Sequence, residues 1–151
     1  MAQGLSKESY EKIKELASSG IITYSPLFDE VDPEKYISFT ENIPIYKISA
    51  NSLLDPFIEA EKVTSIFKDI SPVIFIPGKK FDVSGTRHGR GGGWYDRFLS
   101  SMPNTWIRVG FCYEEQFSDI PLIRESWDVP VHFVCISKKE STDFKFIKTL
   151  V

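Results

Sequence analysis

The run Val73-Ile74-Phe75-Ile76 is apolar at every position and stops at Pro77-Gly78. A strand with one wet face alternates polar and apolar residues, so a run with no polar position reads as a strand covered on both faces. It requires layers above and below its sheet. The flanking pattern supplies them. Tyr10, Ile13, Leu16 and Ala17 recur at helical spacing among Glu and Lys, which predicts an amphipathic helix over residues 6–19 with Gly20 as its stop. Asp55-Pro56 suits an N-cap followed by a first helical residue that needs no donor, and a helix over 55–68 follows. Trp94, Tyr95, Phe98, Leu99 and Met102 form an apolar helical stripe ending before Pro103.

Residues 21–24, 43–48, 106–112 and 129–136 read as further strands, and the polar stretch 29–34 reads as a loop opening a short helix. Helices alternating with apolar strands predict an α/β domain, a three-layer sandwich with a mainly parallel sheet. The tail 138–151 alternates Phe144, Phe146 and Ile147 with Lys145 and Lys148, which suits an added edge strand or a docking arm.

A chain of 151 residues can bury one sizeable core, so one domain over 1–151 is expected. With 18 Lys+Arg against 21 Asp+Glu, the chain lacks the basic footprint that duplex binding needs, and no nucleic-acid partner is expected. No apolar run reaches membrane-spanning length and the first ten residues are polar, so neither a membrane nor a secretory leader is expected. Cys112 and Cys135 both lie in apolar runs, as buried thiols of a reducing compartment do, which predicts a cytoplasmic protein.

Six of the nine glycines fall within residues 78–93, at a junction from strand to helix. Such a backbone turns tightly and brings its N–H groups close to another molecule, and the following helix start adds unpaired donors. Together they suit an anion such as phosphate. Arg87, His88 and Arg90 lie in the same loop, where cationic side chains reinforce an amide cradle. Asp96, one turn further on, would repel bound phosphates unless a divalent cation, Mg2+, bridged them. Plainer readings stand beside these: a tight turn for the glycines, a helix-dipole partner for Asp96, core packing for Trp94 and Tyr95, a solvated His88 and a hydrogen-bonded core His132. Gly89-Arg90-Gly91-Gly92-Gly93 matches neither a P-loop nor a dinucleotide fingerprint.

The stretch Pro77-Gly78-Lys79-Lys80-Phe81-Asp82, then Gly85, Arg87 and Gly89 through Leu99, closely resembles the signature of the 5-formyltetrahydrofolate cyclo-ligases, also called methenyltetrahydrofolate synthetases. Gly110, Gln116, Ile120-Pro121 and Asp128-Val129-Pro130-Val131 continue the resemblance in order. It implies an α/β fold of the sugar-phosphate isomerase and CoA-transferase group. It also implies conversion of 5-formyltetrahydrofolate to 5,10-methenyltetrahydrofolate with ATP and Mg2+, releasing ADP and phosphate. Carried across by position, Arg87, Gly89, Arg90, Gly91, Gly92, Gly93, Trp94 and Tyr95 would bind ATP, with Arg90 as the catalytic cation. Asp96 and Asp128 would bind the metal, and Glu30, Trp94 and Tyr95 the reduced folate. A monomer or weak homodimer is expected.

The departures from the family pattern are specific. Its longer basic N-terminal helix, which gives a Lys and an Arg to the nucleotide, has no counterpart before Tyr24, where Lys7, Lys12 and Lys14 are the available substitutes. A strand segment between Phe39 and Pro44 is missing, Gly92 stands where some members have a lysine, Trp127 replaces a frequent His, and His132 replaces a later Asp. They leave a second reading, a non-catalytic relative that binds nucleotide or folate. A third, a sugar-phosphate isomerase on the same fold, lacks a placed Glu or Lys base.

Overall fold

The structure is a computed structural model that describes residues 2–39, 42–49 and 54–151. Helix α1 covers Ala2–Leu16, β1 Ile21–Tyr24, the single-turn α2 Pro33–Tyr36, β2 Ile45–Ile48, α3 Pro56–Ile66 and β3 Val73–Pro77. Short strands β4 (Lys80–Asp82) and β5 (Arg87–His88) precede α4 (Trp94–Ser100). Then come β6 (Ile107–Tyr113), β7 (Phe117–Ser118), β8 (Phe133–Ser137) and β9 (Phe144–Lys148).

The main sheet has the order β2-β1-β3-β6-β8-β9, parallel throughout except for the antiparallel pair β8–β9. Strand β3 sits inside it, with all five residues buried. Successive side chains of a strand point to opposite faces, and the core divides accordingly. Val73 and Phe75 pack with Ile13 and Ala17 on the α1 side, whereas Ile74 and Ile76 pack with Ala60, Val63, Phe98 and Leu99 on the side of α3 and α4. The layering is the α/β sandwich that the unbroken apolar run requires. Both cysteines are free and buried, and among the described residues no helix is long and apolar enough to cross a membrane.

The tail resolves to the edge-strand alternative. The outer face of β9 is partly covered by α1, where the Phe146 N–H donates to Ser9 Oγ at 3.1 Å. An edge strand covered in this way offers fewer unpaired backbone groups for aggregation. Helix α1 begins four residues earlier than the periodicity predicts, and α3 and α4 each end about two residues sooner. The stretch 39–44 lies partly outside the described residues.

Two segments differ in kind from the sequence reading. Residues 78–93 are not wholly loop, because β4 and β5 form a hairpin that joins β7 in a separate three-stranded sheet. Asp82, 1 % exposed, holds that hairpin: one carboxylate oxygen accepts from Thr86 N–H at 3.0 Å and the other from Leu122 N–H at 2.7 Å. Likewise the last parallel strand starts at Phe133 rather than Val129. Pro130 has no N–H, its carbonyl accepts from Arg108 Nε at 2.6 Å, and Val131 N–H is drawn to Gly85 O at 2.9 Å, so 129–132 turns toward the hairpin.

Gly110 lies opposite Ile76 in the register, and a Cβ there would lie 2.2 Å from Cε1 of the buried Phe81 ring on β4. The missing side chain is the seat of the hairpin. Gly110→Ala is therefore expected to destabilise the protein by about 1–3 kcal/mol through overpacking, read as a lower urea midpoint. An unchanged midpoint would contradict this packing.

Candidate active site

A cavity of about 570 Å³ opens beyond the C-terminal ends of β1, β2 and β3, where Ser25, Ser49 and Gly78 meet. In open α/β sheets this is the end at which ligands bind, because strand termini and loops leave a crevice there. One wall is the loop after β1, carrying Leu27 and Glu30. The Tyr24 hydroxyl donates to Val31 O and curls this loop back, while Glu30 Oε1 accepts from Leu27 N–H at 2.9 Å. Another wall is the glycine loop with Arg87 and His88. Trp94, Tyr95, Asp96, Trp127 and Asp128 close the third side.

The glycine loop owes its form to backbone conformation. Gly91 at φ +95° and Gly93 at φ +68° occupy the left-handed region, and no heavy atom lies within 4 Å of a Cβ built at Gly91 or Gly92. The loop backbone thus faces open space, and a Cβ at position 92 would meet no obstacle. Helix α4 has only seven residues, so the donors available to an anion are those of the loop and first turn rather than of a long helix dipole.

Arg87 lies deep in the site. Its Nε donates to Pro77 O at 2.6 Å, and its guanidinium lies 5.0 Å from the Tyr95 ring centroid, a cation–π contact. Burial lowers its pKa, while Tyr95, Asp96, Glu30 and Asp128 pull the other way. Burial raises the Tyr95 hydroxyl well above its ordinary value, against the influence of Arg87, so it remains a neutral donor. Arg90 is more exposed and pairs with both carboxylates of the facing loop, Asp29 and Glu30, the latter at 3.4 Å from Nε.

Asp96, in the first turn of α4, accepts from Val129 N–H at 3.0 Å, and Asp128 accepts from Glu125 N–H at 2.8 Å. Burial raises the Asp96 pKa; the Val129 N–H and Arg87 oppose that shift and the neighbouring Asp128 carboxyl adds to it. The structure thus brings Glu30, Arg87, Arg90, residues 89–95, Asp96 and Asp128 to one cavity. Trp94 and Tyr95 do not only pack on Phe98; they also line the cavity, with Trp94 Nε1–H donating to Leu54 O at 3.1 Å. His88 is half-buried rather than solvated, its Nε2 lying 2.8 Å from Ile123 O. His132 is hydrogen-bonded as expected, its Nδ1 accepting from Arg108 N–H at 3.0 Å, but it is only half-buried and lies just before β8 rather than in a core strand.

Two of the three lysines considered as nucleotide contacts are placed elsewhere. Lys12 Nζ lies 5.5 Å from the ring centroid of Phe133, at the N-terminal end of β8 and away from the cavity, and Lys14 Nζ lies over Tyr10. Asp29 and Gln116 contribute to the site without having been singled out for it. Gln116 Nε2–H donates to Asp29 O at 3.2 Å, a contact across 87 positions that no local pattern announces.

The model of the 5-formyltetrahydrofolate cyclo-ligase family matches residues 7–137. The chain belongs to that family. It is 30% identical over 105 residues to the 5-formyltetrahydrofolate cyclo-ligase of Haemophilus influenzae, covering 67% of this chain and 54% of that protein. It thus spans about half the length of that curated relative. Among solved structures, the 5,10-methenyltetrahydrofolate synthetase from Mycoplasma pneumoniae aligns with a TM-score of 0.54 at 18% identity, over 88% of this chain and 85% of that one. The Aquifex aeolicus 5,10-methenyltetrahydrofolate synthetase aligns at 0.52 and 23% identity, over 88% and 78%. At those identities the likeness is one of fold, the α/β sandwich of the cyclo-ligases.

Because its carboxyl is held above the ordinary pKa, ionised Asp96 opposes folding once the pH rises through the shifted value. In magnesium-free buffer, Asp96→Asn is therefore expected to be more stable than wild type at pH 7, by less than about 1 kcal/mol because solvent screens a half-exposed group. The difference should vanish below the ordinary carboxyl value of 3.8. Urea titrations at both pH values measure it, and an equal gap at both would contradict the assignment.

Proposed function

We propose that this chain converts 5-formyltetrahydrofolate to 5,10-methenyltetrahydrofolate with ATP and Mg2+, releasing ADP and phosphate. The observation that carries the reading is the make-up of one cavity: a glycine loop with two arginines forms one wall, and the loop bearing Glu30 forms another. An oxyanion ligand suits the first wall and a donor-rich heterocycle suits the second, because a carboxylate only accepts hydrogen bonds.

In this reading Gly89, Gly91, Gly92, Gly93 and Arg87 hold the ATP phosphates, and Glu30 accepts from the N–H edge of the reduced folate. Trp94 and Tyr95 offer ring faces to the same substrate and close its side of the cavity. Phosphoryl transfer to the formyl oxygen asks mainly for positioning and charge neutralisation, and N10 then closes the ring as phosphate leaves. Arg90, paired with Asp29 and Glu30, supplies the positive charge for the transferring phosphoryl group.

Asp96 and Asp128 fit magnesium. Among the described residues no cluster of three metal-ligating side chains occurs, yet one or two carboxylates are what Mg2+ ordinarily takes from a protein when phosphates and water complete its shell. When bound, the metal neutralises phosphate charge that the two carboxylates would otherwise repel. The two buried free thiols are consistent with a cytoplasmic setting.

Purified protein with ATP, Mg2+ and 5-formyltetrahydrofolate is expected to form the absorbing methenyl product. Arg90→Ala should lower turnover by about 100-fold while shifting stability by no more than about 0.5 kcal/mol, since an exposed loop side chain contributes little packing. Absence of product at saturating substrates, or full activity in the variant, would contradict the reading.

A further inference from the structure

The features that open the glycine loop to a ligand also leave it soft. Among the described residues no backbone hydrogen bond holds residues 89–92, and side-chain positions at Gly91 and Gly92 would touch nothing. Arg90 lies in the middle of that segment, and its guanidinium has to occupy one place if it is to act on a transferring phosphoryl group. A geometry error of about 1 Å can reduce catalysis about 100-fold.

The restraint comes from the facing loop. An Arg90 Nη donates to Asp29 Oδ1, and Nε lies 3.4 Å from Glu30 Oε2. Glu30 is the weaker anchor, because its other oxygen is already bound by Leu27 N–H and its contact with Arg90 is long. Asp29 is itself fixed: its carbonyl accepts from Gln116 Nε2 at 3.2 Å, and Gln116 Oε1 accepts from Tyr113 N–H at 2.8 Å, where the central strand β6 ends. A chain of hydrogen bonds therefore runs from the sheet through Gln116 and Asp29 to the guanidinium. With one Nη and Nε taken by carboxylates, the other Nη remains to meet a phosphoryl oxygen.

We propose that Asp29 is a positioning residue, acting through Arg90 to hold its guanidinium across the cavity mouth. This rests on the functional reading above, and it assigns a role to the residue beside Glu30. Asp29 is not among the residues that line the cavity, so in this reading its loss misplaces a charge and removes no ligand contact.

The test is a double-mutant cycle on the full chain. Asp29→Asn is expected to lower kcat about tenfold while KM for ATP stays within about twofold, and Asp29→Glu should recover part of the loss. In an Arg90→Lys background, which cannot form the planar two-point contact, Asp29→Asn should cost less than about twofold. NMR of the arginine side chains gives a readout independent of turnover: hindered rotation of the Arg90 guanidinium in wild type, lost in Asp29→Asn. A tenfold loss that persists with Arg90→Lys, a raised KM at unchanged kcat, or an Arg90 signal indifferent to Asp29 would each overturn the proposal. Wild-type turnover is the control. Its absence overturns the functional reading and the contribution of Asp29 to turnover with it, and the guanidinium signal then decides whether Asp29 anchors Arg90.

Discussion

The Phe81 ring occupies the space that a side chain on Gly110 would need, and it closes on Gly78 as well, where an added Cβ would lie 2.9 Å from it. This contact seats the β4–β5 hairpin on the sheet. Everything that follows in the chain inherits its position: Arg87 and His88 lie on the second hairpin strand, and the glycine loop starts immediately after them. A buried aromatic against two glycines is rigid because neither partner can adjust by rotating a side chain. The buried Asp82 adds the other fastening, tying the hairpin turn to the segment before Asp128.

On that rigid base the site combines two electrostatic regimes. Arg87 is half-buried against the Tyr95 ring and feels three carboxylates, so its charge is held in place and compensated. Arg90 is solvent-accessible and holds its partners across open space. A fixed cation suits binding; a cation on a soft loop suits a charge that develops during reaction, provided something orients it. Asp96 and Asp128, side by side near the same cavity, add negative charge that a divalent cation would offset.

Much of this was readable from residues alone. The apolar run at 73–76 required two covering layers, and the division of Val73 and Phe75 from Ile74 and Ile76 is its direct consequence. Glycine density located the cavity wall, because backbone freedom at a strand end has few other uses. Glycine density also misled: it concealed the hairpin, whose strands are three and two residues long and gain their stability from β7, more than thirty positions away. The true start of the last parallel strand was equally hidden, since Val129 and Val131 carry strand propensity while Pro130 and Gly85 determine where they go. The pairing of Asp29 with Arg90 escaped for the same reason, as did the role of Gln116, which the family pattern marks without explaining. Their partners lie 61 and 87 positions off, and only tertiary structure brings them together.

The central claim is that the backbone of the glycine loop grips the phosphates of a nucleotide. The most direct measurement is the set of backbone amide shifts in 15N-labelled protein titrated with ATP and magnesium. The account predicts saturable shifts that are largest at Gly91, Gly92 and Gly93 and extend to Arg87 and Asp96. Saturable shifts confined to another face of the molecule, or none at millimolar nucleotide, would contradict it.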